Sequence, residues 1–322
     1  MTTSSRVWVE SCTRDPEGTM SVTVVIPAFN AEHLLPATLE SVLNQTLKPS
    51  EVLVIDDGST DNTAAVAEAF GPPVRVIRRS NVGQALTRNF GVAEATNEWI
   101  AFIDADDLWN KYKLEKQMRA LEANPAASLC YTARVHFEQH GEELRPVLHM
   151  PVPPPEGIRN ALYRNTTFLP SSVVIRRTTF LESGGFDPQY SIVEDWDLWL
   201  RLLHSGITFA AVQEELMLYR MHTGSISRRA DIALRDSLAV YRKHVLPNLP
   251  PISGWFRFNR VRSEHEAVTS MLMRAAGDPR HFGVMAASIF RDPFNYYHRY
   301  KVFAHMLYTR LRGSVQRPSP AR

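Results

Sequence analysis

Short apolar runs alternate with amphipathic segments along the first 125 residues of the chain. Four runs rich in β-branched and aromatic residues have the length of buried strands: 22–26, 51–55, 74–77 and 99–103. The segments between and after these runs predict helices: one with Leu35, Leu39, Val42 and Leu43 on one face and Pro36 in its first turn, and three more over 61–69, 84–95 and 111–123. Because such alternation is typical of an open, mostly parallel sheet with helices on both faces, the pattern predicts an α/β fold.

The pattern changes after residue 124. Short strands are predicted over several segments: 129–131, 134–137, 172–175, 207–212 and 219–222. One helix is predicted to begin at Glu194 and to run to about His204. Residues 141–157 contain five prolines and few apolar groups, which predicts an exposed loop or flap. From residue 228 onward the spacing of apolar residues is mostly helical.

Polar clusters directly follow three of the predicted strands, at 27–30, 56–59 and 104–107. Open α/β sheets bind ligands beyond the carboxyl ends of their strands. The last cluster places Asp104, Asp106 and Asp107 within four residues, and such carboxylates attract hard divalent cations, which prefer oxygen ligands. This cluster alone leaves two hypotheses open: a metal and diphosphate site, or a solvated acidic turn in which Asp107 or Asn110 caps the next helix.

Composition narrows the class of protein. The apolar fraction of 44% and the charged fraction of 22% are those of a globular protein. The net charge of +2 indicates no nucleic acid partner. The charge is uneven, however, because residues 253–322 carry 12 Lys and Arg against 4 Asp and Glu. Cys12 and Cys130 form no metal-binding pattern, residues 1–20 have no leader-like apolar core, and no apolar run reaches the roughly 18 residues of a membrane span. We therefore expect a cytoplasmic protein, with contact at the inner face of the membrane left open.

Six short motifs follow one another between residues 20 and 225: VVIPAFN at 24–30, VIDDGSTD at 54–61, NVG at 81–83 with RN at 88–89, DADD at 104–107, GGFD at 184–187 and ED at 194–195. In order and approximate spacing they resemble the family-2 glycosyltransferases of the GT-A fold. The resemblance implies a Rossmann-like, open mixed sheet and the transfer of a sugar from a nucleotide diphosphate sugar with inversion at the anomeric carbon. The predicted organisation is a loose tail over 1–20, a GT-A domain over 21–225 with a nucleotide-binding half (21–124) and an acceptor half (125–225), and a helical, basic region over 226–322.

The resemblance also implies a donor site at the strand ends. The residues implied to bind the donor are Pro27, Phe29, Asn30, Asp57, Arg88 and Asp106. A carboxylate at Asp57 can accept the imide N–H of uracil or thymine, which favours UDP and dTDP sugars. Phe29 either stacks on the base or fills the core, and Arg88 either reaches a phosphate or pairs with a neighbouring carboxylate. For Asp56 we expect an Asx turn that closes the loop at Gly58.

A divalent cation, Mg²⁺ or Mn²⁺, is implied at the acidic cluster. The implied ligands are Asp104, Asp106, Asp107 and His222. As the C–O bond of the donor breaks, negative charge builds on the departing diphosphate, and a bound cation neutralises that charge. The division of roles among the three carboxylates stays open, and His222 is either a ligand or a structural histidine.

Asp195 is the implied general base. An acceptor hydroxyl is a weak nucleophile unless its proton is removed as it attacks, and a carboxylate can remove that proton. The start of a helix also favours the ionised form of a carboxylate. The alternative is that Asp195 caps the helix while Glu194 is solvated.

Other function classes and the acceptor are left open by the sequence. A nucleotidyltransferase usually has a Gly-rich phosphate loop after the first strand, where this chain has residues 27–30 without glycine. A non-catalytic nucleotide-sugar-binding protein would not need the base at Asp195. The resemblance implies a saccharide or lipid-linked acceptor, in cell-surface polysaccharide or glycolipid synthesis. A basic, aromatic-rich helix predicted at 294–312 either lies peripherally on an anionic membrane or packs on its own domain or a second subunit.

Overall fold

The computed structural model describes residues 20–141, 143–221, 230–275 and 278–291. Nearly all of the predicted tail, His222 and the helix predicted at 294–312 lie outside the described residues. The described strands are β1 (Val22–Ala28), β2 (Glu51–Asp56), β3 (Val74–Arg78), β4 (Trp99–Phe102), β5 (Leu108–Trp109), β6 (Ala127–His140), β7 (Glu143–Met150), β8 (Val173–Arg176) and β9 (Thr208–Arg220). The described helices are α1 (Leu35–Leu43), α2 (Thr63–Glu68), α3 (Gln84–Glu94), α4 (Lys113–Ala123), α5 (Ile158–Leu162), α6 (Arg177–Glu182), α7 (Glu194–His204), α8 (Ala230–Val240), α9 (Pro251–Ala275) and α10 (His281–Arg291).

These strands form one mixed sheet with the order β3-β2-β1-β4-β8-β6-β9-β5, and β7 pairs with β6. The first four strands along the chain are parallel, and β1 lies between β2 and β4, so that Val25 is opposite Leu53 on one side and Phe102 on the other. β8 runs antiparallel to both β4 and β6. The predicted open mixed sheet with helices is confirmed, and the carboxyl ends of β1, β2 and β4 lie side by side.

The central strands are buried because their sequences are almost entirely apolar. Every residue of β1 is buried, and so are residues 52–56 of β2. α1 keeps Pro36 in its first turn, as predicted, where the missing N–H costs no helical hydrogen bond. α3 lies so close to β1 that a methyl group on Gly91 would be 2.4 Å from Cγ1 of Val25, so only glycine allows this approach. α3, the helix after β3, is thereby fixed against β1.

Two predictions for the second half of the sheet are wrong. The two short strands predicted at 129–131 and 134–137 form one strand, β6. The two predicted at 207–212 and 219–222 likewise form one strand, β9. Register shifts near Thr132 and Ala133 let both strands continue past polar positions. The loop predicted over 141–157 contains β7, which pairs antiparallel with β6. β7 is exposed along its length and tolerates Pro146 because an edge strand has unpaired N–H positions.

The chain divides into two compact units. Of the described residues, the first contains those within 20–161, 166–188 and 201–221, and the second contains those within 162–165, 189–200 and 230–291. The described part of the second unit after residue 229 is helical, as predicted, and the hydroxyl of Ser263 in α9 donates to the carbonyl of Ser288 in α10 at 2.6 Å. No helix in the described ranges combines the length and the apolar character needed to cross a membrane. The domain boundaries expected from the sequence stay predictions.

Candidate active site

The loop after β1 is tied to the loop after β2 through Asn30. Its φ of +49° is unusual for a residue other than glycine, and its side-chain Oδ1 accepts hydrogen bonds from the N–H and the hydroxyl of Thr60 at 2.9 and 3.2 Å. The N–H of Asn30 donates to Oγ of Ser59 at 2.9 Å. Pro27 is buried beneath this loop, whereas Phe29 is 51% exposed. Phe29 therefore presents its ring at the surface instead of filling the core, and Asn30 holds the loop that carries it.

The two aspartates at the end of β2 have different partners. Asp56 accepts the N–H of Ser59 at 3.0 Å, which is the Asx turn expected from the sequence. Asp57 accepts the N–H of Val82 on Oδ1 and the N–H of Gly83 on Oδ2, both at 2.9 Å, and is 4% exposed. Asp57 therefore fixes the turn that starts α3. Each of its oxygens has a second lone pair through which a ligand could still be bound.

Arg88 pairs with a carboxylate, which is one of the two alternatives that the sequence left open. Its guanidinium donates to Oδ1 of Asp104 at 2.5 Å, and Arg88 is only 1% exposed. The amide of Gln84 donates to the same oxygen at 3.1 Å. The guanidinium carbon lies 5.4 Å from the centre of the Phe186 ring, in the GGFD motif. Helix α3 and the 184–187 turn thus converge on the first carboxylate of the acidic cluster.

Asp107 is buried in the structure instead of capping a helix. Its Oδ2 accepts the hydroxyl of Ser171 at 2.6 Å, and its Oδ1 accepts the N–H of Arg220 at 3.2 Å. Burial raises the pKa of Asp107 well above its usual value, and the nearby charges of Asp106 and Asp104 raise it further. α4 begins at Lys113, and Asn110 Oδ1 accepts the N–H of Tyr112 at 3.1 Å in the turn just before it, so the hypothesis that Asp107 caps this helix is wrong.

Asp104 and Asp106 are the more accessible members of the acidic cluster. The side chain of Asp104 is 22% exposed and that of Asp106 is partly exposed, whereas Asp107 is 1% exposed. The carbonyl of Asp106 accepts Nε–H of Arg220 at 2.7 Å, which fixes its backbone. The described residues contain no group of three or more side chains placed to hold a metal ion. Mg²⁺ commonly takes one or two carboxylates together with substrate phosphates, and Asp104 with Asp106 fit that donor set.

Sequence reasoning missed Ser171, Gln84 and Arg220. Ser171 lies in a 3₁₀ turn, Pro170–Ser172, and its Oγ also accepts the backbone N–H of Asp104 at 3.0 Å, so one hydroxyl links the backbone of Asp104 to the carboxylate of Asp107. A serine 64 positions away from Asp107 gives no signal in the sequence. The signal for Arg220 is its position in the short predicted strand 219–222, two residues before His222.

Asp195 lies in the second unit, in the first turn of α7. It is 4% exposed, and its Oδ1 accepts the N–H of Trp196 at 2.7 Å. The first turn also contains Glu194, which is 5% exposed instead of solvated, and Asp197, which accepts Nε2 of His244 at 2.7 Å. The Trp196 indole N–H donates to the carbonyl of Leu162 at 2.7 Å, so Trp196 belongs to the core. The structure thus holds the start of α7 firmly through its neighbours.

Comparison with known proteins agrees with this geometry. The family model described as glycosyl transferase family 2 matches residues 23–185. The Bacillus subtilis protein TuaG, a candidate teichuronic acid biosynthesis glycosyltransferase, is 30% identical over 69% of this chain and 87% of its own length. WfaP of Escherichia coli, a UDP-Glc:alpha-D-GlcNAc-diphosphoundecaprenol beta-1,3-glucosyltransferase, is 29% identical over 64% of this chain and 79% of its own length.

Two solved structures share the fold. Residues 1–349 of S. aureus TarS in complex with UDP-GlcNAc align with a TM-score of 0.58 and 15% identity, covering 87% of this chain and 93% of the other. Mannosyltransferase PcManGT from Pyrobaculum calidifontis, in complex with GDP-Man and Mn²⁺, aligns with a TM-score of 0.58 and 16% identity, covering 93% and 83%. The sheet and its strand-end carboxylates therefore define a GT-A-type glycosyltransferase. The chain belongs to glycosyl transferase family 2, as its six motifs predict.

Proposed function

We propose that this chain transfers a sugar from a nucleotide diphosphate sugar to an acceptor hydroxyl, with inversion at the anomeric carbon. The observation that carries this proposal is that Asp57 follows β2 and the 104–107 carboxylates, one of them paired with Arg88, follow β4 at the same edge of the sheet in a family-2 chain. Strand ends of this kind are where open α/β sheets bind their ligands. The names of the relatives TuaG and WfaP support a role in cell-surface polysaccharide synthesis.

The loops after β1 and β2 supply the proposed base-binding surface. The exposed ring of Phe29 offers a face on which a base can stack, and buried Pro27 and the bonded Asn30 hold it in place. The remaining lone pairs of Asp57 accept the imide N–H of uracil or thymine, which favours UDP and dTDP donors. The names of WfaP and TarS include UDP-sugars, whereas PcManGT was solved with GDP-Man, so the preference for UDP rests on Asp57.

The carboxylates of Asp106 and Asp104 are the proposed ligands of a Mg²⁺ or Mn²⁺ ion, and His222 stays a proposed third ligand. A bound cation would offset the negative charge that builds on the diphosphate as it departs. Three carboxylates lie close enough for Asp104 and Asp106 to raise the pKa of Asp107, and a cation relieves such repulsion. Arg88 orients the carboxylate of Asp104, and Arg220 fixes the backbone at Asp106.

Asp195 is the proposed general base. As the acceptor oxygen forms its bond to the anomeric carbon, its proton passes to the carboxylate of Asp195, and the bond between that carbon and the diphosphate oxygen breaks. The position of Asp195 in the first turn of α7 favours the ionised form that this step requires. The acceptor is proposed to be a saccharide or a lipid-linked sugar, as the name of WfaP suggests. Peripheral membrane contact through the helix at 294–312 stays a prediction.

Asp195→Asn tests the base. We expect turnover to fall by about 10²- to 10⁴-fold, because the amide cannot take the proton, while donor binding is retained. The readout is the rate of nucleotide release together with the thermal shift caused by the donor. Asp278→Asn, at a paired carboxylate of the second unit, is the matched control. Unchanged turnover in Asp195→Asn would remove Asp195 from the mechanism.

Asp106→Asn tests the metal and donor site. Thermal melts with UDP-, dTDP-, GDP- and CMP-sugars, each with Mn²⁺, Mg²⁺ or EDTA, are expected to show stabilisation of the wild type by one class of nucleotide in the presence of metal. Asp106→Asn should lose that metal-dependent shift and about 10²- to 10³-fold in turnover. If no nucleotide shifts the wild type with or without metal, the transferase proposal fails in favour of a non-catalytic protein with the same fold.

A further inference from the structure

An exposed apolar face lies in the first two turns of α9, in the second unit. Ile252 is 78% exposed, Trp255 is 61% exposed and Phe256 is 63% exposed. The spacing of these residues, i, i+3 and i+4, places them on one side of the helix. Large apolar side chains that are exposed together usually mark a surface that contacts something else.

A basic cavity adjoins this face. Its volume is about 310 Å³, and it is lined by Arg164, Phe256, Arg257, Arg260, Val261 and Glu264. The cavity has three guanidinium groups and one carboxylate, which lies 3.4 Å from Arg260, so its charge is net positive. Guanidinium groups bind phosphate oxygens through paired N–H donors. Because Phe256 belongs both to the cavity wall and to the exposed face, the apolar and basic parts form one continuous surface.

We infer that this surface docks on an anionic phospholipid bilayer, with the arginine-lined cavity holding a headgroup phosphate. Tryptophan and phenylalanine are favoured at the boundary between headgroups and acyl chains, while arginines on the same helix bind the anionic lipid. Charge complementarity supports this occupant, because the cavity beside the apolar face is lined by three arginines and one glutamate. The inference differs from the predicted helix at 294–312 in naming α9, and it needs no donor sugar or turnover.

Binding of the full chain to vesicles tests this inference. Wild-type protein should co-sediment with vesicles of phosphatidylcholine and phosphatidylglycerol much more than with phosphatidylcholine alone, and added salt should weaken binding. The double substitution Trp255→Ser/Phe256→Ser should weaken binding by roughly tenfold or more. Arg257→Gln/Arg260→Gln should weaken it about fivefold for each arginine replaced, on anionic vesicles only.

Matched controls separate this surface from general effects. Leu148→Ser changes a side chain that is 49% exposed on β7, and Arg119→Gln changes an exposed arginine paired with Glu115 on α4; both should bind vesicles like the wild type. Thermal melts confirm that the variants fold. If the α9 variants bind as well as the wild type, or if the wild type does not bind anionic vesicles, the inference is overturned, and the face is then covered by another part of the chain or by a second copy.

A fluorescence measurement on protein with an unchanged α9 tests the same inference without the risk that a variant of α9 misfolds. Brominated phospholipids quench tryptophan fluorescence at short range, and Trp99, Trp109, Trp196 and Trp199 are buried. In a Trp8→Phe background, quenching by vesicle-bound lipid should therefore report Trp255. Sedimentation without quenching would place the membrane contact elsewhere and overturn the inference.

Discussion

The loops after β2 and β4 both carry several carboxylates, but their electrostatics are opposite. In the loop after β2, Asp57 receives two backbone N–H groups, and Asp61 receives hydrogen bonds from Thr63 and Glu32. Burial raises the pKa of Asp61, but the hydrogen bonds from the side chain and backbone of Thr63 and from the backbone of Glu32 outweigh it, so the pKa is lowered. These anions are stabilised by the protein itself.

In the loop after β4, the carboxylates act on one another. Burial and then the charges of Asp106 and Asp104 raise the pKa of Asp107 well above its usual value, despite the hydrogen bonds from Ser171 and Arg220. Two cations oppose this repulsion: Arg88 pairs with Asp104, and the charge of Arg220 interacts with Asp106 and Asp107. In the loop after β2, the carboxylate of Asp57 therefore holds the 82–83 turn in place and keeps lone pairs for a ligand. The loop after β4 instead concentrates negative charge at a strand end. The second arrangement is the one that a divalent cation and a diphosphate would balance, as the proposed function requires.

Breaking the Arg88–Asp104 pair should have the largest effect on stability. Arg88→Met removes the buried guanidinium and leaves a partly buried carboxylate next to two others, which should lower the free energy of unfolding by about 3 kcal/mol. Urea denaturation measures the change. Arg119→Gln, at an exposed ion pair, is the control and should change it by well under 1 kcal/mol.

The double variant Arg88→Met/Asp104→Asn shows whether charge is the cause. If the unpaired carboxylate explains the loss, the double variant should recover part of it. If instead Arg88→Met is as stable as the wild type, other groups balance the charge of Asp104. The loop after β4 would then not differ from the loop after β2 in the way described above.

Asp57→Ala tests whether the Asp57 carboxylate stabilises the turn at Val82 and Gly83. It removes the acceptor of the Val82 and Gly83 N–H groups and should lower the free energy of unfolding by about 2 kcal/mol, because both hydrogen bonds involve a charged acceptor. It should also weaken donor binding, because α3 starts at this turn. Comparison with Asp106→Asn by thermal melting sharpens the contrast, since Asp106→Asn is expected to melt like the wild type without metal. If Asp57→Ala is as stable as the wild type, the turn does not depend on its hydrogen bonds to Asp57.

The sequence predicts this contrast only in part. The positions of Asp57 and Asp104 at the same edge of the sheet, one strand apart, follow from the alternation of strands and helices, because parallel strands bring their carboxyl ends to one edge. The choice between a phosphate and a carboxylate as the partner of Arg88 could not be made, because both hypotheses require the same residue at the same place. Ser171 was missed because the chain returns to the cluster through a turn that no periodicity marks.

The second half of the sheet was less predictable for a different reason. β7 has the exposed, proline-containing sequence of a loop and becomes a strand because it can pair with β6 at an edge. The exposure of the apolar face of α9 could not be predicted either, because apolar residues at helical spacing normally indicate a face that packs on the core. Only the exposure of Ile252, Trp255 and Phe256 in three dimensions separates the two cases.

The smallest expected effect is a pH dependence at Asp61. The pKa of this carboxyl is lower in the folded state than its ordinary value of 3.8, so the group stabilises the fold above that pH and loses the contribution as the pH falls through its folded-state pKa. Asp61→Asn should therefore melt slightly below the wild type at neutral pH, and the difference should shrink in acid. Thermal melts of both proteins across the acidic range measure it. A difference that stays constant with pH would mean that the hydrogen bonds from Thr63 and Glu32 do not depend on the charge, and that the loop after β2 does not stabilise anions.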